Sequence, residues 1–333
     1  MSDRDIVVDG LVKRYNGDVI AVNDVSFKVN SGEIFGFLGP NGAGKSTTIA
    51  MLTTRIVPTS GTAMVGGFDV VHQASDVRRL AGVALQEIGL DPLMKSMEML
   101  TIQAQLFGMT RRQAQARAKE LLEVVKLSDV TQRPVGKYSG GMRRRLDLAM
   151  ALAHEPAVLF LDEPTTGLDP ASRRDIWTEV RRLNRELGMT IMLTTQYLEE
   201  ADELADRVAI INAGKIAVEG KPNDLKAALG GDAINLTFAN VETVDKALSE
   251  VGEMATRTQT DRDILRLYLP NAAAAVPAVV NRLQSANIAL TALTLTQPTL
   301  DDVFLQVTGQ RFSNEQAADA ESSEKPKQKT KAA

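Results

Sequence analysis

The sequence contains no cysteine and only two histidines, His72 and His154, among its 333 residues. Without cysteine the chain forms no disulfide and offers no thiolate to a metal ion, a composition compatible with the cytosol. Two histidines are also too few for a histidine-rich metal centre, and they disfavour a Ser-His-Asp triad. These absences exclude thiol chemistry and argue against histidine-based catalysis.

Long apolar runs and a strong positive charge are missing as well. No segment approaches the roughly 18 consecutive apolar residues of a membrane-crossing helix, and the first ten residues, MSDRDIVVDG, lack the apolar stretch of a signal peptide. The formal net charge is −4, so no global field recruits nucleic acid. The sequence therefore predicts a chain that does not bind nucleic acid and serves a membrane only through a partner.

Short strands and helices alternate over the first two thirds of the chain. LVKRY and VIAV flank Asn16-Gly17-Asp18, a turn sequence that favours a β-hairpin. EIFGFLG (33–39) predicts a strand followed by a helix from Lys45, and TAMVGGFDV and GVALQ predict further strands. AVLFLDE (157–163) is almost continuously apolar, as in a strand buried on both faces of a sheet, and TIMLTTQ predicts the next buried strand. The pattern predicts an α/β domain over residues 1–228, with a helical insert at about 88–155.

The order of elements changes after residue 228. Residues 229–311 read as strand, helix, strand, strand, helix, strand and a last helix with a Thr-x-x-Asp cap pattern, which predicts a small α+β domain. The last helix carries Thr299, Asp301, Asp302 and Phe304, which are either contact residues or part of an ordinary amphipathic capping helix. Residues 312–333 are polar and charged, a composition typical of a disordered tail.

The segment GPNGAGKST (39–47) matches the pattern G-x-x-x-x-G-K-[ST] between a predicted strand and a predicted helix. In that context, backbone N–H groups and the helix N-terminus point at the phosphates of a nucleotide. Lys45 supplies a cation and Ser46 can ligate Mg²⁺. The alternative is a tight glycine-rich turn that binds nothing. The candidate nucleotide-binding residues are Gly39, Pro40, Asn41, Gly42, Ala43, Gly44, Lys45, Ser46 and Thr47.

Two carboxylates end the apolar strand AVLFLDE. Asp162 would lie at the carboxyl end of this strand, beside the phosphate loop, where it can hold Mg²⁺ through water. Glu163 follows directly and can polarise an attacking water. An apolar strand that ends in Asp-Glu is common, so the interpretation depends on the phosphate loop upstream. Together the two motifs predict a P-loop nucleoside triphosphatase.

The segment YSGGMRRRLDLA (138–149) resembles the signature motif of ABC ATPases, which is usually written Leu-Ser-Gly-Gly-Gln. Ser139, Gly140 and Gly141 begin a predicted helix, which is a second anion site. In the ABC family this site binds the γ-phosphate of the ATP held by the other subunit. The resemblance therefore implies a dimer of two copies that share two ATP sites.

Other positions fall in the order of the ABC motifs. Tyr15 lies where an aromatic ring stacks on adenine, although it could instead pack on the sheet as a hairpin aromatic. Gln86 matches the Q-loop and is expected to contact Mg²⁺ or water, although it could be an ordinary surface glutamine. Asp169, in Gly-Leu-Asp-Pro, matches the D-loop that works across the dimer interface, although an aspartate before Pro170 could simply cap a helix.

The sequence departs from the usual ABC pattern at Met142, which replaces the signature glutamine, and at Gln196, which replaces the switch histidine. Both changes, with TTQYLEEAD and QPTLDDVFLQVTG, resemble the daunorubicin/doxorubicin-resistance subfamily of exporter ATPases. We expect the Gln196 amide to donate to a γ-phosphate oxygen or to the attacking water, as glutamine does in GTPases. It cannot carry a proton at neutral pH, so Glu163 should carry more of the water activation. Alternatively, Gln196 only caps the next helix.

Three consecutive arginines, Arg143, Arg144 and Arg145, follow the signature. We expect them to form a solvated helix face with some ion pairs. The alternative is that they strengthen the positive field near phosphate or a partner loop.

The resemblance implies the mixed sheet, antiparallel β-subdomain and helical insert of the ABC-type P-loop fold. It further implies an ATPase subunit at the cytoplasmic face of the membrane, which binds ATP and Mg²⁺ as a homodimer and drives a separate integral membrane subunit through residues 88–135. Export of a drug or other amphipathic molecule rests on the subfamily alone. Two alternatives stay open: a soluble ABC ATPase that acts on ribosomes or DNA, and a regulatory subunit with vestigial hydrolysis.

Overall fold

A computed structural model describes residues 4–16, 19–87, 89–229 and 232–309. Within residues 4–229 the strands are β1 (Ile6–Arg14), β2 (Ile20–Val29), β3 (Ile34–Leu38), β4 (Ser60–Val65), β5 (Phe68–Asp69), β6 (Ala81–Ala84), β7 (Val158–Asp162), β8 (Thr190–Thr195), β9 (Arg207–Asn212) and β10 (Lys215–Gly220). The helices are α1 (Lys45–Leu52), α2 (Ala74–Leu80), α3 (Ser96–Leu106), α4 (Arg111–Val124), α5 (Gly140–Ala151), α6 (Pro170–Leu187), α7 (Leu198–Leu204) and α8 (Pro222–Ala227).

The central sheet has six strands in the order β10-β9-β3-β8-β7-β6, and all neighbours except β10 and β9 run parallel. Alternate residues of β7 serve two different cores. Leu159 and Leu161 pack with helices α3, α4, α5 and α6. Val158 and Phe160, on the other face, pack with α1 and the second sheet. Burial on both faces explains why β7 is apolar at every position before Asp162, as predicted, and every residue of β8 is buried as well.

The second sheet is antiparallel, in the order β2-β1-β4-β5. β1 and β2 pair as the predicted hairpin strands. Two of the predicted turn residues, Gly17 and Asp18, lie outside the described residues. Among the described helices, none is long and apolar enough to span a bilayer.

The helical insert contributes α3, α4 and α5, which lie within the range 88–155 expected from sequence. Thr110 begins α4 with a capping box in which its hydroxyl accepts from Gln113 N. Leu100, Leu121 and Leu146, one from each helix, are buried in a common core with the sheet residue Leu159. This packing fixes the start of α5, where Ser139 lies.

Residues 232–309 contain β11 (Asp232–Thr237), α9 (Val241–Val251), β12 (Arg257–Asp261), β13 (Ile264–Leu269), α10 (Ala272–Ser285), β14 (Ala292–Thr296) and α11 (Leu300–Thr308). This is the element order predicted from sequence. The sheet is antiparallel in the order β12-β13-β11-β14, the split β-α-β arrangement of ferredoxin-like domains. Its core is built from its own strands and the helices α9 and α10.

The last helix, α11, starts with the predicted cap, in which Thr299 accepts from Asp302 N. Its apolar residues do not join the core of the ferredoxin-like sheet. Leu300 and Phe304 are buried with Leu38 of β3 and Leu198 of α7. On the other side of the helix, Asp302 pairs with Arg266 of β13 at 2.5 Å. The helix thus contacts both parts of the chain, and the division at 228/229 stays a prediction.

Candidate functional site

Four parallel strands, β3, β8, β7 and β6, end at one edge of the central sheet. The strand register places Leu38 beside Thr195 and Asp162 beside Thr194. The phosphate loop after Leu38, Glu163 after Asp162 and Gln196 after Thr195 therefore all follow strands that end at this edge, although Gln196 is not among the residues that line the cavity over Lys45. Ligands of open α/β sheets bind at this carboxyl edge.

The phosphate loop is held in a shape that requires glycine. Gly44 has a φ of +110°, and a Cβ there would lie 2.4 Å from the carbonyl of Ala21. A Cβ at Gly39 would lie equally close, 2.4 Å, to the carbonyl of Ile211. The helix α1 starts directly after Gly44 without a side-chain cap, so its first N–H groups are not bonded by a capping side chain.

Lys45 lies at the centre of the site and is only 4% exposed. Its Nζ donates to the carbonyl of Gly39 at 2.8 Å and lies 3.4 Å from Oε1 of Glu163. Burial lowers the pKa of Lys45, and the Glu163 carboxylate opposes that effect. Lys45, which is expected to bind the nucleotide phosphates, is thus paired with Glu163, which is expected to polarise the attacking water.

Glu163 has a strained backbone, with a φ of +49°. Its N–H donates to Thr194 O at 3.0 Å, and Thr166 Oγ1 donates to its Oε2 at 3.2 Å. A non-glycine residue in the left-handed region costs about 1–3 kcal/mol and persists only where its surroundings hold it. This strain favours a functional role for Glu163.

Two oxygen-bearing side chains beside Lys45 fit a magnesium ion. Ser46 Oγ donates to Asp162 Oδ1 at 3.3 Å, and Thr194 Oγ1 donates to the same oxygen at 2.5 Å. A hydroxyl and one carboxylate suit Mg²⁺, which completes its shell with phosphate oxygens and water. The described residues contain no group of three or more histidines, cysteines or carboxylates that could hold a metal ion.

An open cavity of about 310 Å³ lies over these side chains. Its lining residues are Ala21, Asn41, Gly42, Gly44, Lys45, Ser46, Thr47, Gln86 and Glu163. Gln86 is exposed and joins the phosphate loop, as its position after β6 suggested. Tyr15 is 46% exposed and lies outside the lining set, with Lys13 Nζ 5.3 Å from its ring.

The signature segment lies at the start of α5. Ser139 is the N-cap, and its Oγ accepts from Met142 N at 3.2 Å. Ser139 and Gly140 are exposed, and neither they nor Gly141 line the cavity over Lys45. A single copy therefore presents the two halves of the expected ATP site on separate surfaces.

The expectation of a solvated face over all three arginines is wrong for Arg144, which is only 5% exposed. Its guanidinium donates to the carbonyls of Pro164 at 2.7 Å and Asp162 at 3.1 Å, and also to the carbonyl of Leu85. It pairs with Asp147 at 3.0 Å. Helix α5 is thereby tied to the ends of β6 and β7. Arg143 is exposed, as expected.

The sequence left open whether Asp169 and Gln196 only cap the helices that follow them. The structure shows such a cap for Asp169 but not for Gln196. Asp169 caps α6, because Oδ1 accepts from Ala171 N and Ser172 N at 3.0 Å. The bond from the Ser172 hydroxyl contributes most to lowering the pKa of Asp169. Gln196 does not cap α7, whose N-cap is Tyr197 without a side-chain cap.

Sequence reasoning missed Thr194 and the buried role of Arg144. Thr194 is fully buried and contacts both Asp162 and the Glu163 amide. The threonines at the end of a strand expected to be buried were a usable signal, since a buried polar group needs a partner. Ala21 was also missed, because only the fold brings β2 to the phosphate loop.

Comparisons with known proteins agree with this geometry. Residues 22–166 match the family model described as ABC transporter, and residues 220–308 match the C-terminal domain of DrrA1-3-like ATP-binding proteins. The chain is 44% identical over 309 residues to the daunorubicin resistance ATP-binding protein DrrA3 of Streptomyces coeruleorubidus, covering 93% of this chain and 97% of that protein. It is 38% identical over 304 residues to the Nod factor export ATP-binding protein I of Burkholderia lata, covering 91% and 97%.

A solved structure shares the fold. It is a dimeric bacterial ABC transporter cassette, 25% identical, with a TM-score of 0.60, covering 65% of this chain and 98% of that one.

Proposed function

The chain belongs to the ATP-binding subunits of ABC transporters, with relatives of the daunorubicin/doxorubicin-resistance type, and on that premise we propose that it hydrolyses ATP to drive an exporter. The exported molecule would be a drug or another amphipathic compound. The relatives serve daunorubicin resistance in one case and Nod factor export in another, so the compound itself is left open.

ATP is held by its phosphates over α1. The amides of residues 39–47 surround the β- and γ-phosphates, and Lys45 turns from Glu163 to the γ-phosphate. Ser46, Asp162 and Gln86 would hold Mg²⁺, which neutralises charge on the phosphate oxygens when bound. The 3.3 Å approach of Ser46 to Asp162 supports this assignment.

Hydrolysis depends on Glu163, which polarises the attacking water. Its pairing with Lys45 opens when Lys45 moves to phosphate, so nucleotide binding releases the carboxylate for this role. Gln196 comes two residues after Thr194, the strand partner of Asp162, and donates from its amide to the water or to the γ-phosphate. A glutamine orients water without exchanging a proton.

A second copy of the chain completes each site. Ser139 and Gly140 are exposed and Gly141 is half-buried at the N-terminus of α5, which suits a γ-phosphate. They lie outside the cavity of their own chain, so the phosphate they receive belongs to the partner copy. Asp169, exposed at the start of α6, lies on the same interface.

The membrane subunit is expected to dock on the helical insert. Ile102, Leu106 and Phe107 are 48%, 76% and 39% exposed at the C-terminal end of α3. Phe107 lines an open groove of about 410 Å³ that also includes Leu85, directly before Gln86. A permease helix in this groove would place the chain at the cytoplasmic face of the membrane.

The observation that carries the proposal is the convergence of Lys45, Ser46, Asp162 and Glu163 at one sheet edge, with a signature serine outside it. The test is phosphate release from MgATP by the chain with its membrane subunit. Glu163→Gln should reduce release at least roughly a hundredfold, because the general base is lost. Glu203→Gln, an exposed carboxylate on α7, is the matched control and should be unchanged. Equal rates for Glu163→Gln and wild type would instead indicate a regulatory subunit with vestigial hydrolysis.

A further inference from the structure

Glu200 is a fully buried carboxyl on α7 that the mechanism above does not use. Its Oε1 accepts from Trp177 Nε1 at 2.9 Å. Its Oε2 makes no hydrogen bond of ordinary geometry within the described residues. Burial raises the pKa of Glu200, and interactions with Thr195, Trp177 and Thr165 act against burial. A carboxyl in such a position needs partners to offset its desolvation.

The hydroxyl of Thr165 is also buried; it acts on Glu200 but makes no hydrogen bond of ordinary geometry in the described part of the chain. Two orphaned buried atoms in one cluster are unusual, because nearly all such groups are bonded in folded proteins. The Thr165 hydroxyl is a donor and Glu200 Oε2 is an acceptor. A small movement of α7 relative to the Thr165 segment would therefore satisfy both.

The three neighbours of Glu200 belong to three functional segments. Thr165 follows Glu163 by two residues. Thr195 directly precedes Gln196, and its Oγ1 accepts from Tyr197 N at 2.9 Å. Trp177 lies on α6, the helix that Asp169 caps. One carboxyl thus contacts the segments that carry the proposed general base, the switch glutamine and the interface aspartate.

We propose that Glu200 is a positioning residue, which sets the Gln196 loop against α6 and completes a bond with Thr165 when the ATP site closes. The proposal rests on the proposed ATPase function. Glu200 does not touch ATP; it acts by fixing where Gln196 and Glu163 lie relative to each other. Formation of the Thr165 bond draws the Glu163 segment towards α7, and opening of the site releases it.

The test compares variants of the chain with its membrane subunit. Thr165→Val removes the hydroxyl and keeps the shape, whereas Thr165→Ser keeps the hydroxyl. Thr165→Val and Glu200→Gln should each lower kcat roughly tenfold or more, since small misplacements slow chemistry, with the KM for ATP within about twofold of wild type. Thr165→Ser should restore the wild-type kcat. Glu199→Gln, the exposed neighbour on α7, is the matched control and should be unchanged.

A second readout does not depend on turnover. Trp177 is the sole tryptophan of the chain, so its fluorescence reports the environment of Glu200 directly. In a Glu163→Gln background, MgATP should shift this emission, and adding Thr165→Val should abolish the shift.

The proposal is overturned if Thr165→Val and Glu200→Gln keep kcat within about twofold of wild type. It is also overturned if kcat falls as far in Thr165→Ser as in Thr165→Val. If Glu200→Gln does not fold, the Thr165 pair decides alone. Loss of phosphate release in Glu163→Gln, measured in the same assay, shows separately whether the proposed function holds.

Discussion

Arg144→Ala removes one guanidinium that donates to two buried carbonyls, a partly buried third carbonyl and one carboxylate. The truncation leaves Asp147 without its buried partner, and breaking a buried ion pair in this way costs about 3–5 kcal/mol. Unsatisfied carbonyls of Pro164 and Asp162 add to the loss, because each buried acceptor without a donor costs about 1–3 kcal/mol. We expect the variant to lose at least about 3 kcal/mol of unfolding free energy and to melt roughly 10 °C lower.

Arg143→Ala is the matched control for this prediction. It removes the same side chain from the preceding position of α5, where that side chain is exposed, and should change stability by no more than about 0.5 kcal/mol. Chemical denaturation of both variants beside wild type measures the difference. Arg144→Lys should recover only part of the loss, because an ammonium lacks the planar fork that reaches several carbonyls. Equal stability of Arg144→Ala and Arg143→Ala would refute the role assigned to Arg144.

Three further predictions concern other parts of the chain. Gln196→Ala should slow phosphate release while ATP affinity is preserved, because the amide acts on the water; an unchanged rate in a phosphate-release assay would remove Gln196 from the mechanism. Burial raises the pKa of Asp147 from its usual 3.8 to about 6 despite the adjacent Arg144, so the folded chain binds this proton more tightly than the unfolded chain. Its contribution to the unfolding free energy should therefore fall as pH rises from about 4 to about 6; Asp147→Asn should flatten that part of the stability profile, and an identical slope in the variant would contradict the assignment. Phe304→Ala should cost about 3–5 kcal/mol of unfolding free energy because the ring is buried against β3 and α7, whereas a loss below about 1 kcal/mol on denaturation would show that α11 does not depend on this packing.

The nucleotide site was predictable where its chemistry is local. The phosphate loop needs glycines, a lysine and a hydroxyl within nine consecutive residues, so the segment 39–47 was recognisable without a fold. Asp162 and Glu163 were recognisable because they end a strand whose apolar pattern requires burial on both faces. In each case the residues that the chemistry requires are neighbours in the sequence, so their pattern can be recognised without the fold.

The features that sequence reasoning missed depend on contacts between distant segments. Arg144 and Arg143 are the same residue type one position apart, and only the packing of α5 against β6 and β7 separates a buried guanidinium from an exposed one. Thr194 contacts Asp162 of β7, which is about thirty residues away along the chain, because the strand register makes the two residues neighbours. The last helix was predicted correctly, but its packing on α7 and β3 follows from tertiary structure alone.

The central claim is that one copy holds only half of each ATP site and a second copy supplies Ser139 and its neighbouring amides. The direct measurement is the association state of the Glu163→Gln chain, bound to its membrane subunit and saturated with MgATP, from the distance between spin labels on the two ATPase copies. We predict a short distance that appears with MgATP and is lost in the Ser139→Glu variant. Copies that stay apart with MgATP would contradict the claim.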